Sequence, residues 1–458
     1  MKTRNHISEK KQNRYSMDML HGPLAGKLVR FAIPIALAGI LQQLFNSADA
    51  AVAGHFVGSE ALAAIGGTAP VATLLISLFV GLSVGTNVLV ALRIGQGHPE
   101  KIGAAVHTSI AVALASGAIL LVAGIVFVEP ILDAIDMPDD ALEPAITYLV
   151  IFFIGMPFAM LYNFGSAVLR SRGDTRRPLY ALIVAVILNL VLNVAFVTIV
   201  DWGVAGIAVA TDIANAVSAV IVLAVMMKEE EPYHLSWRRV RFSKAELLII
   251  LKVGIPAGLQ GVVFAFSNVI IQAGINSFGS ASTAGVAAGV NFECYSYFFI
   301  NGFVQAAVTF IGQNYAAHQY SRCDSIFKWC MIFAFAFMVV LCLTWNLLGA
   351  RAIGVFTSDE AAIQYGVLRL ALVQAFQWLP VFYEIPAGAM RGMGWSMTPT
   401  AIIIVGSCVL RIIWIETIFV WQPDFYTLMV IYPLSWVVTG IAMLLTFYFV
   451  RKRAFAKD

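Results

Sequence analysis

The sequence predicts an all-α polytopic membrane protein, with twelve transmembrane helices arranged as two parallel six-helix repeats. Three observations carry this. Hydrophobic residues make up 60% of the 458 residues and charged ones 12%, with a mean hydropathy of +0.84; soluble domains are nearer half apolar and a quarter charged. The apolar residues gather in runs of the length a bilayer-crossing helix needs, about 20 residues. The first half of the chain also returns in the second. SAVLRSRGDTRRP (166–178) aligns with AGAMRGMGWSMTP (387–399), and the same offset of 221 pairs Gly58 with Gly279, Gly81 with Gly302, Tyr162 with Tyr383 and Gly173 with Gly394.

In chain order, a polar and basic N-terminal segment (1–27) has no apolar run directly behind its charges, so it does not read as a cleaved signal peptide. Spans follow at 28–57, 61–92, 103–128, 144–166, 178–200 and 203–227, forming a first lobe over 28–227. A polar linker (228–245) leads to spans at 246–276, 283–313, 325–349, 363–386, 399–421 and 427–450, a second lobe over 246–450, and a short tail (451–458). Six spans per half is an even number, so the halves share one topology and are related by an axis along the membrane normal.

Charge orients the array. Of the 29 lysines and arginines, Arg351 lies in an odd-numbered loop and Arg369 and Arg411 lie inside spans; all the others, Arg391 among them, fall in the termini, the even-numbered loops or the adjoining span ends. The positive-inside rule makes that side cytoplasmic, with both termini. The 3–4 loop, with Glu129, Asp133, Asp136, Asp139, Asp140 and Glu143 and no base, then faces outward. Basic loops explained by topology give no support for nucleic-acid binding. The five cysteines (Cys294, Cys323, Cys330, Cys342, Cys408) lack metal-binding spacing and read as small apolar side chains.

The first span carries the chemistry. Gln42, Asn46 and Asp49 fall at i, i+4 and i+7 and share one helix face, and a carboxylate within a membrane helix reads by default as functional. At about 1.5 Å per residue, Asp49 lies in the outer half of the membrane, and Asn189, Asn193, Thr211 and Asp212 lie between the midplane and that level. Asp, Asn and Thr oxygens suit a small hard cation, while a dry carboxylate among them can carry a proton. At the repeat offset these positions become Ile270, Leu410, Trp414 and Tyr432 for Asp49, Asn189, Asn193 and Thr211, so the cluster belongs to the first lobe alone. Pro34, about four turns before Asp49, removes a backbone hydrogen bond and reads as a hinge.

The second lobe has its own charges: Glu293, Arg369, Glu384, Arg411 and Glu416. Counting depth places Glu293 and Arg411 near the midplane and Arg369 and Glu416 in the outer third, which suggests the pairs Glu293–Arg411 and Arg369–Glu416; a substrate contact for Glu293 is the alternative. Gln42, Asn46, Glu293, Tyr297, Trp378 and Arg411 are the candidate substrate-cleft residues, with Phe292, Tyr295, Phe298 and Phe299 as further aromatic wall.

The pattern P-x7-QQLFNSAD-x4-GHFVGSEALAAIG, the run GLSVGTNVLVALRIGQG and the repeated LRSRGDTRRP/MRGMGWSMTP together resemble the multidrug and toxic compound extrusion (MATE) family, bacterial members included, over about 25–450. The resemblance implies a V-shaped fold with a central cleft. It implies a non-enzymatic antiporter of the cell (inner or plasma) membrane, working as a monomer without a cofactor, that exports amphipathic organic cations against Na⁺ or H⁺. It implies a cation site at Asp49, Asn189, Asn193 and Thr211, which would be the Na⁺ ligands; where some members have a second aspartate this chain has Asn193, and Asp212 is the residue that can restore the charge. Two other readings are a flippase or exporter of a lipid-linked or other endogenous metabolite, and an intramembrane enzyme, for which no HExxH motif is present.

Overall fold

An apolar chain crosses a bilayer only where its backbone polar groups are satisfied within the segment, which helices achieve. The computed structural model describes residues 16–456 except 135, 136 and 138, and among the described residues it contains helices and turns but no strand. The first half comprises α1 (Ala25–Val52, continued by a π-helical turn at Ala53–Val57), α2 (Ser59–Gln96), α3 (Pro99–Ala134), α4 (Asp139–Ile154), α5 (Met156–Ser171), α6 (Arg176–Thr198) and α7 (Gly203–Met227). The second comprises α8 (Lys244–Asn276), α9 (Ser280–Ala316), α10 (Tyr320–Ile353), α11 (Glu360–Leu372), α12 (Val381–Gly392), α13 (Met397–Ile403), α14 (Leu410–Trp414) and α15 (Phe425–Phe455), with π-helical turns joining α13 to α14 and extending α14 to Phe419. The N-terminal residues 1–15, Asp136 in the 3–4 loop, and residues 457 and 458 of the tail lie outside the described residues.

Ten of these helices, counting 397–419 as one, are long and apolar enough to cross a membrane. The fourth and tenth spans differ from the straight helices that the sequence suggests. The fourth is the pair α4 and α5, bent by 45° at Gly155, where Pro157 follows and cannot donate to the preceding turn. The tenth, at the equivalent place in the repeat, is α11 and α12 with a 3₁₀ turn and Pro380 between them. The repeat is kept to the residue in several of its turns. Gly173 and Gly394 both have positive φ, 96° and 84°, and His318 at φ 58° stands where the first half has Gly97 at 70°. Pro34 sits inside α1 without interrupting it.

The lobes join at their basic end. There α2 crosses α8 so closely that a Cβ on Gly81 would lie 2.2 Å from the Gly258 nitrogen, and one on Gly85 2.4 Å from the Ile250 oxygen. The pseudo-equivalent crossing sets α1 on α9: Gly302 abuts the Ala32 carbonyl, and Phe31 meets Phe310 edge-on at 5.4 Å. The basic end of α1 thus packs in the second-lobe core and that of α8 in the first. Arg93 donates two hydrogen bonds to Glu246 across the lobes, both at 2.9 Å, and Gln313 donates to the Ser171 carbonyl at 2.6 Å. Residues 17–19 bridge the lobes as well, since Asn314 and Arg322 donate to the Met19 carbonyl and the Met17 amide donates to that of Arg172. These contacts run from the basic end to the middle of the helices. Towards the other end, Leu44, Phe56, Phe266 and Val269 are exposed. Arg391, which the sequence reading counts among loop bases, is instead in the last turn of α12, buried against the cleft.

Candidate functional site

Asp49 lies on α1 one turn before the π-helical turn, 3% exposed. Asn189 and Asn193 present the same face of α6, and Thr211 comes from α7. Four hydrogen bonds close the cluster. Asn193 Nδ2 donates to Asp49 Oδ1 at 2.6 Å and to Asn189 Oδ1 at 3.2 Å; Thr211 Oγ1 donates to Asp49 Oδ2 at 2.9 Å; Asn189 Nδ2 donates to Thr211 Oγ1 at 3.2 Å. All three partners are neutral, and Asn193 Oδ1 is buried with no hydrogen-bond partner. The cluster is therefore a buried carboxylate held by an amide N–H and a hydroxyl, with one buried amide oxygen, that of Asn193, left unused. Among the described residues no group of three or more His, Cys, Asp or Glu gathers to hold a metal ion, and one carboxylate with neutral oxygens matches the ligand chemistry of a hard cation.

Asp49 opens onto a cavity of about 420 Å³, which Gln42, Asn46 and Thr211 also line. Asp212 does not join the cluster. Its carboxylate turns to the bend of the fourth span, so close to Gly155 that a Cβ there would lie 1.8 Å from Oδ1. The reason is helical phase: neighbours in sequence point about 100° apart, so sharing depth with Thr211 does not bring Asp212 to the same face. Sequence reasoning missed Tyr148, which lines the same cavity as Asp49; its position opposite Arg369 in the repeat was the available signal.

In the second lobe a cavity of about 580 Å³ is lined by Glu293, Tyr297, Arg369, Glu384 and Arg411 among others. The ion pairs are not those expected from depth. Glu293 binds Arg369, which donates from Nε at 2.6 Å and from a terminal nitrogen at 2.9 Å. Arg411 donates from Nε to Ser435 Oγ at 3.1 Å and lies over the Tyr432 ring at 4.5 Å, while Glu416 is exposed. Depth counting treats a side chain as a point at its Cα, whereas the long arginine reaches a neighbour on an adjacent helix at another level. Trp378 is not at this cavity; it packs edge-on against Phe335 and Phe382. Phe292 and Phe299 also pack inward, on Trp345 and Phe337, and Phe298 lines the cavity.

Between the lobes a third cavity, about 480 Å³, is lined by Ser77, Gln260, Asn301, Gln305, Glu384 and Arg391, among others. Its polar wall is cross-linked: Tyr297 Oη donates to Glu384 at 3.2 Å and Arg391 donates to Gln260; beside it Thr309 Oγ1 donates to Asn87 Oδ1 at 3.1 Å. Asn87 and Gln305, from the two lobes, meet at 3.4 Å.

The MatE family model matches residues 34–195 and 256–415, once in each half. A probable multidrug resistance protein, YoeA of Bacillus subtilis, is 26% identical over 385 residues, 82% of each chain. NorM of Thermotoga maritima, also described as a probable multidrug resistance protein, is 27% identical over 394 residues, 83% of this chain and 82% of its own. A solved structure described as the outward-facing conformation of a multidrug resistance MATE transporter superposes with a TM-score of 0.88 at 22% identity, covering 95% of this chain and 98% of that one.

Proposed function

The chain belongs to the MatE family of membrane transporters, and from that premise we propose that it exports amphipathic small molecules, organic cations among them, by alternating access coupled to inward movement of Na⁺ or H⁺ at Asp49. The observation that carries the coupling step is the state of Asp49: buried, bonded only to neutral groups, and beside a buried oxygen of Asn193 that has no partner. A charge in that setting is stabilised by a cation. Sodium is served by the Asp49, Thr211, Asn189 and Asn193 oxygens, and a proton by Asp49 itself.

The basic end is taken as cytoplasmic, with both termini and the 228–245 linker. Contact of the lobes there and exposed side chains at the opposite ends of α1 and α8 then correspond to an outward-open cleft. Binding the cation tightens the α1–α6–α7 cluster, and α1 also lies along the other lobe, so the ion shifts the balance between open states by its differential affinity for them. Pro34 is the point of α1 with the missing hydrogen bond, and it is the hinge in this scheme.

The test is ethidium export from proteoliposomes with Na⁺ and H⁺ gradients imposed separately. Asp49→Asn should assemble normally and lose gradient-driven export under whichever gradient drives the wild type. Full export by that variant would remove Asp49 from the coupling step.

A further inference from the structure

The charged side chains of the two lobe cavities are partnered differently. Asp49 is the only charged side chain among the described residues lining the first-lobe cavity. In the second-lobe cavity, Glu293 is held by Arg369, and Glu384 accepts a hydrogen bond from Tyr297. Arg411 is left over. It is 2% exposed and lines the cavity, and its one hydrogen bond to a described residue is from Nε to Ser435 Oγ. Among the described residues its terminal nitrogens have no hydrogen-bond acceptor, and its flanks are aromatic: Tyr432 at 4.5 Å and Phe264 at 5.8 Å.

An arginine cannot shed its charge, and a buried charge left unpaired is costly. The scaffold does not require it, because the first lobe has Leu190 where the second has Arg411, and Ala214 where it has Ser435. What the arrangement offers is a planar donor fork at the wall of an apolar, aromatic cavity. That fork matches a carboxylate or phosphate, and the rings match a flat apolar body. Glu293, the sequence candidate for holding a cationic group, is already neutralised by Arg369.

We propose that the second-lobe cavity binds amphipathic oxyanions, namely aromatic carboxylates or phosphate esters and zwitterions that bear such a group, and that Arg411 holds the acid. This names a substrate class for the exporter and rests on that reading. Organic cations are then left to the first-lobe cavity, where Asp49 is the carboxylate.

The experiment measures binding of 1-naphthylacetate and 1-naphthyl phosphate, against neutral 1-naphthylacetamide, to the purified full-length protein in detergent. The acids should bind about tenfold or more tightly than the amide, as one charge-assisted contact implies. Arg411→Met should bring that ratio to about one whatever becomes of overall affinity, and Arg411→Lys should keep most of it. Equal binding of acid and amide by the wild type, or an unchanged ratio in Arg411→Met, would overturn the proposal. So would Arg411-dependent displacement of the acids by phosphatidylglycerol in mixed micelles, which would assign the site to a lipid headgroup. Wild-type ethidium export is followed in parallel. Gradient-driven export without acid preference defeats this inference alone, and acid preference without any export defeats the coupled-export reading alone.

Discussion

Replacing Glu293 by glutamine should destabilise the protein by an amount the geometry allows to be worked out. Arg369 is 3% exposed and makes two charge-assisted hydrogen bonds to Glu293, at 2.6 and 2.9 Å. Its other neighbours are the Met429 sulfur at 3.6 Å and the Tyr432 ring at 5.1 Å, neither of which balances a charge. The guanidinium stays protonated in the variant and faces an amide that can accept one bond instead of two. Breaking a buried pair from one side costs about 3–5 kcal/mol. At an unfolding entropy of about 2.1 cal/mol/K per residue, a chain of 458 residues has ~1 kcal/mol/K, so the midpoint should fall by about 3–5 °C. The assay is thermal unfolding of the purified protein in detergent, followed by intrinsic fluorescence. The double variant Glu293→Leu with Arg369→Met replaces both charges by apolar groups of similar size and should recover most of the loss, since such exchanges are neutral or stabilising. A single variant melting within about one degree of wild type, or a double variant less stable than the single, would refute the reasoning.

Two further outcomes are expected. With the basic end cytoplasmic, Glu129→Cys on α3 should react with an impermeant thiol reagent added outside whole cells and Arg238→Cys in the linker should not, both positions being exposed; the reverse pattern would invert the topology. Glu229, just beyond α7, is pushed up by burial but drawn below its ordinary 4.5 by its hydrogen bond and charge contact with Arg172 and then those with Arg177. A carboxylate depressed in the folded state contributes stability above its unfolded value, and that contribution is lost as pH falls through the folded one. The wild type should therefore lose stability as pH drops below 4.5, and Glu229→Gln should lack that part of the acid slope; superimposable acid profiles would count against it.

The bilayer reduces much of a membrane protein to one dimension, and a sequence reads that dimension well. Apolar run length and the 221-residue repeat were enough for an all-helical membrane fold in two repeated halves, because backbone satisfaction in lipid leaves helices as the only choice. Depth along the normal also placed Asp49, Asn189, Asn193 and Thr211 in the first lobe's outer half or near its midplane, and in the structure they bond to one another. Two of the four share a helix face in sequence, which is why that grouping could be read without coordinates.

The lateral arrangement was decided only by the tertiary structure. Which helix lies beside which, and at what rotation, depends on small residues meeting across α2 and α8 and across α1 and α9, and no hydropathy window reports that. So depth paired Glu293 with Arg411, whereas packing of α9 against α11 pairs it with Arg369 and leaves Arg411 on the aromatic wall of the cavity. Helical phase sent Asp212 to Gly155 and away from Asp49, and Trp378 into its own aromatic cluster. The breaks in the fourth and tenth spans followed Pro157 and Pro380. Both prolines are visible in the sequence, yet a proline inside an apolar run can kink a helix, break it or, like Pro34, pass without interruption, and the neighbouring helices settle which.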